Sequence, residues 1–172
     1  MHKLILIGYM GVGKTTTAQL LALKLNKKWV DLDELIEKQT NLSISAIFEQ
    51  KGEVYFRKLE HETFLQIIES DEQLIISTGG GTPCYANNHL LLNGVNTKSI
   101  YLKASIELIF ERLNAGKTNR PLVARYSEEE LKEFIAKNLF ERSYFYNQAT
   151  YTVNIESKSP EQLADEIIAL LH

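Results

Sequence analysis

The apolar run Leu4-Ile5-Leu6-Ile7 passes directly into Gly8-Tyr9-Met10-Gly11-Val12-Gly13-Lys14-Thr15, and the helical pattern Ala18 to Leu25 leads out. Strand, glycine-rich turn and helix in the spacing G-x-x-x-x-G-K-[ST] spell a phosphate-binding loop, or P-loop. Its glycines let the backbone curl so that successive N–H groups face phosphate oxygens. The helix that follows adds its unpaired N-terminal N–H groups and the positive end of its dipole. Lys14 supplies a point charge for the β- and γ-phosphates, and the Thr15 hydroxyl is a hard oxygen ligand suited to Mg²⁺. The nucleotide-contacting candidates are therefore Gly11, Val12, Gly13, Lys14, Thr15 and Thr16.

Beyond the loop the chain alternates strand and helix about five times. Lys28 to Asp33 reads as a strand ending in two carboxylates, and residues 33 to 39 read as helix. A second helix opens at Ser43, Gly52 marks a break, and Glu53 to Glu69 carries apolar residues at helical period. Gln73 to Ser77 is a compact strand entering Thr78-Gly79-Gly80-Gly81, and Thr82 to Leu92 is expected to be helical. Lys98 to Leu102 is the next strand and Ser105 to about Leu113 the next helix. The stretch at about 113–126 lacks periodicity and reads as a mobile lid loop, with Arg112, Lys117, Arg120 and Arg125 in or beside it. Ser127 with Glu130, and Ser159 with Gln162, are capping boxes for two further helices that flank a last strand, Thr150 to Ile155.

This alternation predicts an α/β protein: a three-layer αβα fold with a mostly five-stranded parallel sheet of P-loop NTPase type, in one domain over residues 1–172. Ligands in such sheets gather at the C-terminal ends of the strands, where the P-loop, the Asp31/Asp33 pair and the triple glycine all fall. Net charge of −3 offers no global basic field for nucleic acid or anionic membrane. No apolar stretch reaches the roughly 18 residues that span a bilayer, so a cytoplasmic location and no membrane partner are expected. The one cysteine, Cys84, cannot form an intramolecular disulfide and reads as buried filler. Nothing indicates an extended dimer surface, which makes a monomer the expectation. The four histidines show no metal or triad spacing.

Asp31 and Asp33, two apart on an expected strand, point the same way. Beside a P-loop, one can hold Mg²⁺ and the other accept a proton from a substrate hydroxyl; helix capping is the competing role. Gly79, Gly80 and Gly81 fit a backbone that approaches a ligand closely and offers it N–H groups, or else a plain tight turn. Arg57 is placed either for a surface salt-bridge ladder or to be held by Glu60 and grip a carboxylate. Arg142 lies on the apolar stripe of its helix and needs a partner, either an anionic substrate or a structural glutamate. Arg120, just before Pro121, is suited to stabilise charge on a transferring phosphoryl group.

Together the residues resemble the shikimate kinase family over essentially the whole chain. The resemblance rests on G-Y-M-G-V-G-K-T at the loop, D-L-D at 31–33, G-E-V-Y-F-R around Arg57, S-T-G-G-G at 77–81, N-R-P-L at 119–122 and E-R-S-x-x-Y around Arg142. It implies transfer of the ATP γ-phosphoryl to the 3-hydroxyl of shikimate, with Mg²⁺ held by Thr15 and Asp31. It implies that Lys14, Asp33 and Arg120 are catalytic and that Asp33, Arg57, Gly79, Gly80, Gly81 and Arg142 bind shikimate, on helices at about 33–62. Arg112 and the region of Lys158 and Pro160 would flank adenine. Another small-molecule P-loop kinase, for gluconate or a nucleoside monophosphate, is the alternative. A GTPase switch is disfavoured because no N-K-x-D motif follows a strand.

Overall fold

The computed structural model describes residues 2–116 and 124–171. Five strands, β1 (Lys3–Ile7), β2 (Lys28–Asp31), β3 (Leu74–Ser77), β4 (Thr97–Lys103) and β5 (Tyr151–Asn154), form one sheet in the order β2-β3-β1-β4-β5. Every pairing in it is parallel. The described helices are α1 (Lys14–Leu25), α2 (Leu32–Thr40), α3 (Ile44–Lys51), α4 (Glu53–Glu69), α5 (Ile106–Ala115), α6 (Glu128–Tyr146) and α7 (Pro160–Leu171). None of them is long and apolar enough to cross a membrane.

Alternation along the central strands builds two cores. Leu4 and Leu6 of β1, Ile75 of β3, and Ile100 and Leu102 of β4 face one way, against Ala18 and Leu21 of α1, Ile109 of α5 and Leu163 and Ile167 of α7. Ile5, Ile7, Ile76 and Tyr101 face the other way, against Ile36 of α2, Ile47 of α3 and Phe56 and Phe64 of α4. A strand buried on both faces is an unbroken apolar run, which is why β1 and β3 read so clearly. Helix α6 bridges the two sides: Leu131 and Ile135 join the first core and Tyr146 the second. That path carries Arg142, one turn before Tyr146, to the end of the sheet where the P-loop lies.

Both expected capping boxes form. Ser127 Oγ accepts from the Glu130 N–H and Glu130 Oε2 accepts from the Ser127 N–H. Ser159 and Gln162 repeat the exchange before α7. Gly52, at φ 85°, separates α3 from α4.

Three expectations change. The strand at Lys28 stops at Asp31, and Asp33 lies in the first turn of α2, because Asp31 Oδ1 accepts from the N–H groups of Asp33 and Glu34 and starts the helix there. The expected helix over Thr82 to Leu92 is instead two 3-10 turns, Thr82–Cys84 and Asn88–Leu91. Between them Ala86 and Asn87 take left-handed φ values of 51° and 58°, which a helix cannot absorb. Residues 113–115 of the expected lid belong to α5, while Arg120 and the rest of 117–123 lie outside the described residues.

Gly8 ends β1 at φ 144°, and a Cβ there would stand 2.7 Å from the Leu102 carbonyl oxygen of β4. Both the conformation and the space forbid a side chain. Gly8→Ala is expected to lower the melting temperature by more than 5 °C, which a thermal unfolding curve would read. Retention of the wild-type value would mean that β1 and β4 can part there at no cost.

Candidate active site

The P-loop wraps a lysine. Gly11 and Gly13 adopt φ 82° and 95°, so the chain turns inward before α1 begins at Lys14. The buried Lys14 ammonium donates to the carbonyls of Gly8 at 2.8 Å and Tyr9 at 3.0 Å. A cleft of about 480 Å³ opens above it, lined by Gly11, Gly13, Lys14, Thr15, Asp31, Asp33, Ser77, Gly79 and Gly80 among others. The phosphate loop, both aspartates and the glycine triplet thus share one cavity, as the ends of three neighbouring strands require.

Thr15 and Asp31 meet. The Thr15 hydroxyl donates to Asp31 Oδ2 at 2.7 Å and lies 3.2 Å from the Ser77 hydroxyl. Three hard oxygens so placed are donors of the kind that would suit a Mg²⁺ ion. Among the described residues no group of three or more His, Cys, Asp and Glu is placed to hold a metal. Asp31 both caps α2 through Oδ1 and faces Thr15 through Oδ2, so the two roles weighed for it coexist on different oxygens. Ser77 was not singled out from sequence. Its signal is the register that sets it beside Asp31 at the end of β3.

Asp33 is the electrostatically unusual group. Its carboxyl is pushed up to about 6, first by burial and then by the negative charges of Asp31 and Glu60, with Lys14 opposing. A carboxylate held near 6 is ionised at neutral pH yet keeps a proton far better than an ordinary aspartate.

The glycine triplet makes room for the protein's own side chains. A Cβ on Gly79 would sit 3.2 Å from Asp33 Oδ1, and one on Gly80 would sit 3.3 Å from Arg142 Nη1. On Gly81 it would meet Arg57 Nη2 at 2.8 Å. None of the three glycines has a positive φ, so clearance and not conformational freedom is what requires them. Gly79 lets Asp33, Glu60 and Thr82 lie against the backbone, Gly80 lets Arg142 and Gly81 lets Arg57.

The two arginines are held differently. Arg57 Nη1 donates to Glu60 Oε1 at 2.8 Å, and Glu53 stands 3.6 Å from Nε. Glu60, 1% exposed, also accepts from the Thr82 hydroxyl at 2.7 Å, which fixes its carboxylate. The salt-bridge and positioning readings of Arg57 are therefore the same contact. Its Nε is buried without a hydrogen-bond partner among the described residues. Arg142 has no such carboxylate. The polar groups that act on its charge among the described residues include Tyr146, Cys84 and Tyr9. The Tyr9 ring lies 5.4 Å beneath its guanidinium, and the Tyr146 hydroxyl donates onward to the Gly80 carbonyl at 2.6 Å. A cation packed on an aromatic face and a neutral phenol keeps its charge available to an anion.

Arg112 lies on the far side of the loop. Its Nη1 donates to the carbonyls of Val12 at 3.1 Å and Gly11 at 3.3 Å. With Thr17, Ile155, Lys158, Pro160 and Leu163 it lines a second cleft of about 200 Å³ that also touches Gly13 and Thr16. Lys158 is pinned by the Asn154 carbonyl at 2.7 Å and by Glu166 at 2.5 Å. Cys84 is half-buried and its thiol is pushed up to about 11 by burial, so it is packing and not a nucleophile.

A P-loop at the end of a parallel αβα sheet, facing a half-buried carboxylate and two oriented arginines, defines a phosphotransferase of the small-molecule P-loop kinase class. The comparisons with known proteins narrow the class. The shikimate kinase family model matches residues 10–172. The shikimate kinase of Flavobacterium johnsoniae is 53% identical over 171 residues, covering 99% of both chains. A shikimate kinase crystal structure from Bacteroides thetaiotaomicron superposes with a TM-score of 0.91 at 35% identity, covering 98% of this chain and 97% of that one. The Acinetobacter baumannii shikimate kinase in complex with shikimate superposes with a TM-score of 0.88 at 31% identity, covering 99% and 93%. The chain belongs to the shikimate kinase family and is an enzyme of that family.

Proposed function

We propose that this enzyme transfers the γ-phosphoryl group of ATP to the 3-hydroxyl of shikimate, yielding shikimate 3-phosphate and ADP on the route to chorismate and the aromatic amino acids. The observation that carries the reading is a single cleft that joins a P-loop to a pKa-raised aspartate, with Arg142, beside which no described carboxylate stands, packed against Gly80 of that cleft's lining. An acceptor bearing hydroxyls and one carboxylate is what such a half-site suits. Family membership names shikimate as that acceptor.

The roles follow from position. Backbone N–H groups from Gly11 to Thr16 and the Lys14 ammonium cradle the phosphates. Thr15 and Asp31 would hold Mg²⁺, which neutralises phosphate charge when bound. Arg57 and Arg142 grip the shikimate carboxylate, and the bare backbone from Gly79 to Gly81 lets the ring settle between them. Asp33 accepts the proton of the 3-hydroxyl as its oxygen bonds to the γ-phosphorus and the bridge to the β-phosphate breaks, so that ADP departs. Arg112 and the cleft by Pro160 receive the adenosine end. Arg120 is the sequence's candidate for charge on the transferring group. A monomer in the cytoplasm, needing no nucleic acid or membrane, completes the reading.

The test is ADP release measured with shikimate, gluconate and AMP in turn, with and without EDTA. Stimulation is expected with shikimate alone and is expected to vanish when Mg²⁺ is chelated. Equal stimulation by gluconate or AMP would transfer the assignment to another P-loop kinase; a rate indifferent to EDTA would remove the metal role of Thr15 and Asp31.

A further inference from the structure

Tyr85 sits in the segment where a helix was expected and two short turns are found. It closes the first turn in extended conformation, and the left-handed Ala86 and Asn87 follow it at once. Non-glycine residues adopt that region at some cost, and two in succession are uncommon. The effect of this backbone is to bring the Tyr85 ring over Arg57, whose Cζ stands 3.9 Å from the ring centroid. No other cation–ring approach among the described residues is as close; the next for Arg57 are Phe56 at 5.1 Å and Phe48 at 6.0 Å.

Arg57 is therefore constrained on each side by a different chemistry. Glu60 takes Nη1 in the plane of the guanidinium. The Gly81 backbone presses against the Nη1 and Nη2 end. Aromatic rings cover its faces, Tyr85 most closely, and the buried Nε faces Glu53 at 3.6 Å. Stacking fixes the plane of a guanidinium without consuming a hydrogen-bond donor, so in-plane donors stay free for a planar carboxylate. A ring laid on the cation also keeps water off it and strengthens whatever pair it forms. Tyr85 itself is 38% exposed, so the fold does not depend on burying it.

We infer that Tyr85 is a positioning residue for the acceptor: it clamps the Arg57 guanidinium by cation–π stacking and so sets affinity for the carboxylate of the substrate. The inference rests on the proposed role of Arg57 in gripping that carboxylate. The phenol hydroxyl is not needed for it; the aromatic face is.

Steady-state kinetics of the full chain with ATP and shikimate test it, using Tyr85→Ala, Tyr85→Leu and Tyr85→Phe. Removing the ring is expected to raise KM for shikimate about five- to tenfold, with kcat and the KM for ATP within about twofold of wild type. Tyr85→Leu keeps apolar cover but has no π-face and is expected to resemble Tyr85→Ala, whereas Tyr85→Phe is expected to restore the wild-type KM. An unchanged shikimate KM in Tyr85→Ala overturns the inference. So does a Tyr85→Leu that matches Tyr85→Phe, since shape alone would then suffice. Wild-type turnover of shikimate in the same experiment reports separately on the proposed function, because a wild type inactive on shikimate fails that reading whatever the variants do.

Discussion

Asp33→Asn is expected to lower kcat by about 10²–10⁴-fold while ATP binding is retained, the range typical of losing a positioned general base. The amide matches the carboxyl in size, so the cleft keeps its shape and only the proton acceptor is lost. Equilibrium binding of ATP and single-turnover phosphoryl transfer separate the two effects; turnover near the wild-type rate would mean that Asp33 orients the hydroxyl without taking its proton. The pH dependence gives an independent reading. With its carboxyl near 6, the base form gains population as pH rises, so kcat/KM is expected to increase through about pH 6 and level off above it.

Stability should move the opposite way. The folded-state value, about 6, lies above the ordinary value of 3.8, so the folded protein binds the Asp33 proton more tightly than the unfolded chain. Below pH 3.8 the group is neutral in both states and costs nothing. Between 3.8 and about 6 the unfolded chain ionises first, and the fold loses stability as pH rises; above 6 the full penalty is present. Asn carries no charge at any pH. Asp33→Asn is therefore expected to melt higher than wild type at pH 7, by about 2–4 °C for each kcal/mol released, with the gain shrinking toward pH 4. A dead but more stable variant is the signature of a group strained by its own site.

Why Asp33 was readable as a candidate but not as a placement shows where sequence reasoning stops. The P-loop, the order of strands and helices and the capping boxes are local patterns whose cause lies within a few residues, and each was legible. The D-L-D pair was legible as chemistry. Its geometry was not, because an aspartate that can end a strand or cap a helix gives the same letters for both, and here Asp31 caps. The triple glycine announced a close approach without revealing that Asp33, Arg142 and Arg57 are what approach. The helix expected after Pro83 failed because Ala86, which carries no sequence cue, and Asn87, of a type that tolerates the region, turn left-handed and seat Tyr85 on Arg57. Long-range partners of this kind leave no periodic trace.

The same limit left Arg142 open from sequence, and its replacement is the sharpest test of the acceptor half-site. Arg142→Ala is expected to raise KM for shikimate by about 10²-fold or more, the cost of stripping one partner from a desolvated charge pair. Melting temperature and the KM for ATP should change little. The reason is that no described carboxylate relies on Arg142, so its loss strands no buried anion. The Tyr146 hydroxyl can still donate to the Gly80 carbonyl and hold the glycine segment in place. Arg57→Ala would differ, because Glu60 is almost fully buried and would be left without its cation; a fall in stability is expected there as well as a loss of shikimate affinity. Arg142→Lys adds resolution, since an ammonium keeps the charge but lacks the planar fork that rests on Tyr9 and reaches a carboxylate with two donors. It is expected to recover only part of the affinity. If Arg142→Ala instead unfolds the protein while the remaining folded fraction binds shikimate normally, Arg142 is a structural residue and the carboxylate must be held elsewhere.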